Sequence, residues 1–130
     1  MIGIVIVAHG GLAREYLAAV EHVVGHQPGI RAIAIAPDDD RAAKQDEICR
    51  AADEVDTGDG VVVVTDMFGG SPSNLSIRAC VPSDRRILYG ANLPMLIKLA
   101  KSRRLSVGEA TASALAAGRK YIDSFDAGGF

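Results

Sequence analysis

Residues 2–11 read IGIVIVAHGG, a continuous apolar run that ends in a histidine and two glycines. The run Ile2–Ala8 is rich in β-branched residues and does not alternate with polar ones, which is typical of a strand buried on both faces of a parallel sheet. Three similar runs follow, at Ile30–Ala36, Val61–Thr65 and Ile87–Tyr89. We therefore expect four buried strands, the first of which leads directly into His9.

Segments with helical spacing separate these apolar runs. The first predicted helix places four apolar residues on one face, namely Leu12, Tyr16, Val20 and Val23, and Gly25 is a suitable stop. In the second helix, Asp38–Asp40 can cap the N-terminus, and Gly58 lies near the end. Its buried face would consist of Ile48, Ala52 and Val55.

Further helices are predicted in the second half of the chain. One can begin at Ser71–Pro72, where a hydroxyl cap would be followed by proline in the first turn, and another can begin around Pro94. The strongest helix signal is the capping-box pair Ser106 and Glu109, which precedes an alanine-rich run that reaches about Lys120.

The alternation of strands and helices predicts an α/β fold. A chain of 130 residues accommodates one ordinary domain. We expect a single-domain, doubly wound and mostly parallel sheet of four strands with flanking helices over residues 1–125. Residues 121–125 could continue the last helix or form a short edge strand, and residues 126–130 are expected to be a frayed tail.

The composition narrows the class of protein. Hydrophobic residues make up 48% of the chain, and 14 basic residues against 16 acidic ones give a net charge of -2, which argues against nucleic acid as a partner. A local basic cluster is interpreted as solvated helix ends; it comprises Arg85, Arg86, Lys98, Lys101, Arg103 and Arg104.

The first apolar run has no basic leader and is too short to span a bilayer, so no membrane insertion is expected. Cys49 and Cys80 form no CxxC pair, and as reduced residues within helices they favour a cytoplasmic protein.

In doubly wound sheets the functional site lies beyond the carboxyl ends of the strands. Strand one runs into His9, and strand three runs into Asp66 and then the sequence Gly69-Gly70-Ser71. A neutral imidazole can attack phosphorus when one ring nitrogen has a free lone pair and the other carries the proton. A carboxylate bonded to that proton fixes the tautomer and stabilises the positive charge that develops on the ring. We therefore predict that His9 is the nucleophile of a phosphoryl carrier and that Asp66 is its partner.

The transferred phosphoryl group also needs hydrogen-bond donors. Gly69, Gly70 and Ser71 precede a predicted helix whose N-terminal amides suit an anion, so we predict that they bind phosphate. The Ser71 hydroxyl could either cap that helix or contact the phosphate. Taken singly, each of these residues has an ordinary structural explanation as a loop, turn or helix-entry residue. Their convergence on one sheet edge is what favours the functional interpretation.

Other sites for phosphate, cofactors and metals are not supported. The chain has no GxxxxGK[ST] loop for a nucleotide and no GxGxxG for a dinucleotide. His22 and His26 lie at the end of the first predicted helix, where a cation or capping role is the simpler explanation. They show no CxxC or HExxH spacing, so neither a metal site nor a cofactor is expected.

At these same residues the chain resembles the IIA domain of the mannose family of the bacterial phosphoenolpyruvate-dependent sugar phosphotransferase system (PTS). The resemblance covers essentially the whole chain and depends on three segments. These are Ile4–Gly10, Thr65–Asn74 and Gly90–Leu96. One departure is Ser73, where phenylalanine is usual in the family, and this affects the expected docking surface rather than the His9–Asp66 pair.

The resemblance implies a phosphotransferase component with a phosphohistidine intermediate. His9 would accept a phosphoryl group from the phosphocarrier protein HPr and pass it to a IIB domain for sugar uptake, with Asp66 as its hydrogen-bonding partner. The resemblance also implies a homodimer in which the C-terminal segment, about residues 121–125, adds as a strand to the partner's sheet. Two alternatives stay open: a stand-alone regulatory protein whose His9 phosphorylation is read by a protein partner, and a dihydroxyacetone kinase phosphotransfer subunit. The segment Asn92-Leu93-Pro94 favours the mannose type over the kinase subunit.

Overall fold

The computed structural model describes residues 1–67, 69–82 and 84–129. Within these residues, each of four strands is followed by an α-helix, and a fifth helix follows the fourth. The strands are β1 (Gly3–His9), β2 (Ile30–Ile35), β3 (Val61–Thr65) and β4 (Arg85–Leu88). The helices are α1 (Leu12–Val24), α2 (Arg41–Val55), α3 (Ser71–Ser76), α4 (Leu93–Lys101) and α5 (Val107–Lys120), with 3₁₀ turns at Arg78–Cys80 and Ala127–Gly129.

The four strands form one sheet in the order β2-β1-β3-β4, and all the neighbouring pairs are parallel. The register pairs Val7 of β1 with Thr65 of β3, which brings the residue after Thr65 level with the end of β1. This arrangement confirms the predicted α/β class, the four-stranded parallel sheet and the adjacency of the two strands that supply the candidate site.

Helices cover both faces of the sheet, which explains why the strand sequences are continuously apolar. On one face, Ile4, Ile6 and the alternate residues of β3 pack against α1, α4 and α5. On the other face, Val5, Val7 and the intervening residues of β3 pack against α2, α3 and the first 3₁₀ turn. Because both faces of β1 and β3 are buried, a polar residue at almost any position within them would lose its hydration.

The predicted end of α1 at Gly25 is confirmed, as are two predicted N-terminal caps, whereas a third cap differs. Asp40 caps α2 by accepting the Ala43 N–H, and Ser106 caps α5 by accepting the Glu109 N–H. The expected hydroxyl cap of α3 is wrong. Gly70 is at the cap position, and Ser71 is the first helical residue.

Two further expectations need correction. The predicted apolar face of α1 is wrong at Leu12 and Val23, which are exposed. The face of α1 that contacts the sheet is rotated by about one residue from the predicted face. It has Ala13 and Val20 buried, with Leu17 and Val24 packed against the same core. β4 begins at Arg85 rather than Ile87, because its backbone pairs with β3 from Val61 onward despite two charged side chains.

Some of the polar residues have surroundings that the sequence did not indicate. Arg85 and Arg103, assigned above to solvated helix ends, are largely buried. Arg103 donates hydrogen bonds to the backbone carbonyls of Ile2, Pro28 and Gly29, so it joins chain segments at the amino end of the sheet.

Cys49 and Cys80 are both free thiols of intermediate burial. Cys80 lies in the 3₁₀ turn rather than in an α-helix, and burial raises the pKa of its thiol to about 11.

The C-terminal segment leaves the body of the domain after α5. Residues 122–126 are neither helical nor paired as a strand within this chain, and Tyr121, Ile122 and Phe125 are 66%, 73% and 73% exposed. The 3₁₀ turn that follows is also exposed. In the part of the chain that the structure describes, no helix combines the length and apolar character needed to cross a bilayer.

Candidate active site

The candidate site lies at the carboxyl edge of the sheet between its two central strands. After β1 the chain enters α1 on one face of the sheet, whereas after β3 it enters α3 on the other face. The two connections therefore diverge and leave a crevice between them, which is where parallel α/β sheets commonly hold their ligands. His9 ends β1, and Asp66 directly follows β3, so both residues lie at this crevice.

His9 and Asp66 are joined by two hydrogen bonds that share one carboxylate oxygen. The distance from His9 Nδ1 to Asp66 Oδ2 is 2.8 Å, and the His9 backbone N–H donates to the same oxygen at 3.0 Å. The imidazole side chain is 48% exposed, whereas the carboxylate is 11% exposed. With an ionised Asp66, the ring proton lies on Nδ1 and the lone pair on Nε2. The largely buried carboxylate of Asp66 thus fixes the tautomer of the half-exposed imidazole. The Nε2 atom is left available as a nucleophile.

The carboxyl group of Asp66 stays ionised because its hydrogen bonds outweigh its burial. Burial alone would raise its pKa, but the hydrogen bonds from the His9 backbone and ring and the electrostatic attraction of the imidazole lower it by more, so the net pKa is below the usual value. The other carboxylate oxygen, Oδ1, is buried and makes no hydrogen bond to the described residues. The interactions of Asp66 with these residues are therefore concentrated on the oxygen that holds His9.

The loop between β3 and α3 passes close to the His9 ring. A Cβ atom on Gly70 would lie 3.3 Å from His9 Cε1 and 3.7 Å from Nε2, so a side chain here would crowd the ring. Gly69 has a φ of +85°, which favours glycine. Its N–H is already used, because it donates to Ser73 Oγ at 3.0 Å. Of the three predicted phosphate-binding residues, Gly70 and Ser71 therefore have the more direct relation to His9.

Ser73 has a structural role in the same loop. It is buried, and its hydroxyl accepts from the Gly69 N–H and donates to the Gly70 carbonyl at 3.1 Å. From the first turn of α3, Ser73 thus ties together the two glycines that precede the helix. From the sequence, Ser73 was expected to affect only the docking surface, and this contact was not predicted.

An open pocket of about 650 Å³ adjoins the imidazole. His9, Gly10 and Ser71 form part of its lining, and Arg41 and Asp39 contribute from the loop after β2. The rest of the lining is apolar and includes Ile35, Ala36, Pro37 and Leu75. Arg41 was not among the site residues predicted from the sequence. The available signal was its position, since it follows β2 by a short loop and so lies at the same sheet edge.

The third sequence segment that carries the family resemblance has a structural role in this fold. Asn92 Oδ1 accepts the Met95 N–H at 3.0 Å and caps α4, while its Nδ2 donates to the Gly118 carbonyl at 3.0 Å. This residue therefore ties the start of α4 to the end of α5.

The other two histidines are remote from the sheet edge that holds His9, since they lie at the end of α1. His22 is in the last turn of that helix, and exposed His26 lies 3.0 Å from Glu21. Among the residues that the structure describes, no group of three or more His, Cys, Asp or Glu side chains could hold a metal ion.

Comparisons with known proteins agree with these observations. Residues 3–116 match the EIIA-man family model, which is described as "PTS system fructose IIA component". The chain is 30% identical over 129 residues to the PTS system mannose-specific EIIAB component of Escherichia coli (strain K12). That match covers 97% of this chain but 40% of the E. coli protein, so the chain spans less than half of that relative.

The similarity extends to relatives of comparable size and to solved structures. The PTS system sorbose-specific EIIA component of Lacticaseibacillus casei is 28% identical over 108 residues, covering 82% of this chain and 78% of that protein. The crystal structure of the phosphotransferase system component EIIA from Streptococcus agalactiae superposes with a TM-score of 0.85. It is 27% identical, with 96% of this chain and 98% of that chain covered.

Proposed function

Because this chain belongs to the mannose-type IIA family of the bacterial sugar phosphotransferase system, we propose that it carries a phosphoryl group on Nε2 of His9. Family membership supports a phosphotransfer role in the PTS. The observation that supports the specific residue and atom is the 2.8 Å contact between His9 Nδ1 and Asp66 Oδ2, which leaves Nε2 as the available nucleophile.

In the proposed reaction, the Nε2 lone pair of neutral His9 attacks the phosphorus of a phosphorylated donor. The bond between Nε2 and phosphorus forms while the bond between phosphorus and the donor breaks, and the electron pair of that bond leaves with the donor. The proton on Nδ1 stays in place and remains bonded to Asp66. The carboxylate opposes the positive charge that develops on the ring, and transfer to the next carrier reverses these steps.

Gly69, Gly70 and Ser71 are proposed to surround the transferred group. Gly70 supports this role most directly, because the absence of a side chain leaves space next to the reacting nitrogen. Ser71 lies at the first position of α3 and shares the pocket with His9. Gly69 contributes through its backbone conformation, because its φ of +85° favours glycine and sets the turn that precedes Gly70.

We propose that the donor is phosphorylated HPr and that the acceptor is a IIB domain. A carrier must meet both partners through the surface around the same histidine, so each complex should be short-lived and the interface small. Met67 is 55% exposed next to Asp66 and is a suitable apolar contact for either partner. Phe68, the second apolar residue expected there from the sequence, lies outside the described residues.

A homodimer is also proposed, with the C-terminal segment as the exchanged element. β4 is at one edge of the sheet, and a groove of about 520 Å³ runs beside it between the strand and α5. Its lining includes the buried Thr111, whose hydroxyl has no hydrogen-bond partner among the described residues. The exposed apolar side chains of residues 121–125 could be buried if this segment paired with β4 of a second copy.

Phosphotransfer from purified phosphorylated HPr tests the proposed function. We expect the chain to gain one phosphoryl group in an acid-labile, base-stable form, measured by intact mass, and to lose it on addition of a IIB domain. His9→Ala should abolish labelling, whereas His22→Ala and His26→Ala should not. Full labelling of the His9→Ala protein would refute the assignment. Labelling without onward transfer to IIB would favour the regulatory alternative.

A further inference from the structure

The start of α2 places a cation at the pocket beside His9. The loop after β2 is closed by Asp39, whose Oδ2 accepts the Ala36 N–H at 2.7 Å. Asp40 then caps the helix by accepting the Ala43 N–H at 3.2 Å. Two of the three consecutive aspartates therefore shape the turn, and Arg41 emerges from it as the first residue of α2.

Arg41 has no electrostatic partner within the described part of the chain. It makes no hydrogen bond or ion pair there, although three aspartates precede it in the sequence. The other cation near this helix end, Lys44, lies 2.8 Å from Glu47 and 3.8 Å from Asp39. Arg41 also lies at the positive end of the helix dipole, where a cation is disfavoured. An anion that enters the pocket would therefore find an uncompensated guanidinium.

Arg41 lines the same pocket as the predicted phosphoryl site. Arg41 shares the pocket with His9, Gly10 and Ser71. The lining also contains one carboxylate, Asp39, whose Oδ2 accepts the Ala36 N–H and lies 3.8 Å from Lys44, and the other lining residues are apolar. A phosphoryl group carries between one and two negative charges at neutral pH, and arginine recognises its oxygens through paired N–H donors. No other lysine or arginine contributes to this lining among the described residues.

We propose that Arg41 binds the phosphoryl group carried by His9 and that it also helps to receive anionic phosphoryl donors. This inference rests on the proposed function of His9 and adds a phosphate-binding residue that comes from a third strand-end loop. Asp66 would stabilise the charge on the ring, whereas Arg41 would stabilise the charge on the phosphoryl oxygens. The two ends of the phosphohistidine would thus be held by opposite charges.

The test uses phosphoramidate, a small anionic donor that phosphorylates histidine without any protein partner. Arg41→Gln should slow labelling of His9 by about tenfold, and Arg41→Lys should recover part of the rate because it keeps the charge but loses the paired donors. Arg50→Gln is the matched control, since Arg50 is an exposed arginine of the same helix whose hydrogen bond goes to the Asp46 carbonyl. It should label at the wild-type rate.

A second measurement separates phosphate binding from a general effect on folding. In wild-type protein, the NMR signal of Arg41 Nε–H should shift when His9 is phosphorylated, while that of Arg50 should not. Equal labelling rates for wild type and Arg41→Gln, or an unmoved Arg41 signal, would overturn the inference. If phosphoramidate labels His9 but HPr does not, the proposed donor fails and the role of Arg41 can still be measured. If neither donor labels His9, the proposed function and this inference both fail.

Discussion

At His9, a single oxygen of Asp66 holds both the imidazole and the backbone that carries it. The position of the ring is therefore tied to the end of β1 rather than left to a flexible side chain. Such an arrangement limits the motion of Nε2 relative to an incoming phosphorus atom, and positioning of this kind is a large part of catalysis in phosphoryl transfer.

Replacement of Asp66 by asparagine should slow phosphoryl transfer to His9 by roughly two orders of magnitude, about 3 kcal/mol of barrier. The amide oxygen can still accept both hydrogen bonds, so the fold should be kept. The neutral amide, however, cannot offset the charge on the ring. Stopped-flow or quenched transfer from phosphorylated HPr measures the rate. Asp40→Asn is the control, because it retains the α2 cap.

An unchanged rate for Asp66→Asn, or an equal loss for Asp40→Asn, would mean that Asp66 acts only through the structure.

The His9–Asp66 contact could be predicted because both residues stand at the carboxyl ends of buried strands, which meet at the same edge of a parallel sheet. The adjacency of β1 and β3 was observed only in the structure. The hydrogen bonds of Arg103 could not be predicted, because its three acceptors are carbonyls of Ile2, Pro28 and Gly29, which carry no local sequence signal. The same reason applies to Ser73, whose hydroxyl bonds depend on the exact course of the loop.

At the scale of elements, the β3–α3 loop depends on the absence of side chains. Gly70 has an extended backbone, with φ of −87° and ψ of 174°, that any residue can adopt. The presence of glycine at this position is thus explained by the nearby His9 ring, which leaves little room for a side chain, and not by backbone strain. The loop is also fastened at its base, since Ser73 joins Gly69 and Gly70 through one hydroxyl.

Gly70→Ala should therefore reduce phosphotransfer while the protein stays folded. The new methyl group would lie 3.3 Å from His9 Cε1 and 3.5 Å from Met67 Cγ, so it would push the ring away from its position. We expect a loss of roughly tenfold or more in transfer rate, because small misplacements of a reacting group are costly. Circular dichroism should show an unchanged fold.

Gly108→Ala is the matched control for this substitution. A Cβ atom on Gly108 would lie 3.8 Å from Arg86 Nη2, which is an ordinary contact. Gly108 belongs to α5 and not to the β3–α3 loop. A wild-type transfer rate for Gly70→Ala would contradict the importance of space beside His9.

Helix and strand boundaries show where element-scale prediction reaches its limit. Strong caps such as Asp40 and Ser106 act locally, and the sequence located them correctly. The buried face of α1 was misjudged at Leu12 and Val23, because apolar residues occur all round that helix and only packing against the sheet selects a face. The fourth strand was predicted from the apolar run that begins at Ile87, and Arg85 was assigned to a solvated helix end. In the structure Arg85 belongs to β4, where its ion pairs with Asp53 and Asp56 of the neighbouring α2 region stabilise it.

At the scale of the whole molecule, the sheet order β2-β1-β3-β4 places the site between the two central strands and leaves β4 at an edge of the sheet. The central strands supply His9 and Asp66, whereas β4 at the edge borders the groove beside α5. A second copy bound along β4 would therefore leave the crevice at His9 open to other proteins. The sequence predicted a parallel sheet through its alternation of strands and helices, whereas the strand order was observed only in the structure. The pairing of the tail depends on a second chain, which one sequence does not describe.

Truncation after Lys120 should weaken the proposed dimer. It removes Tyr121, Ile122 and Phe125, the apolar side chains that would gain burial at the groove. Truncation after Phe125 is the control, because it removes the tail but keeps this segment. Multi-angle light scattering across a concentration series should show dissociation only for the shorter chain. A monomeric full-length protein at micromolar concentration would rule the dimer out.

The central claim is that His9 carries the phosphoryl group on Nε2, with Nδ1 held by Asp66. NMR of the phosphorylated protein labelled with ¹⁵N at histidine tests it most directly. The account predicts a coupling between ³¹P and Nε2 of His9, with the proton retained on Nδ1 and with the signals of His22 and His26 unchanged. Coupling of ³¹P to Nδ1 of His9, or to a nitrogen of either other histidine, would contradict it.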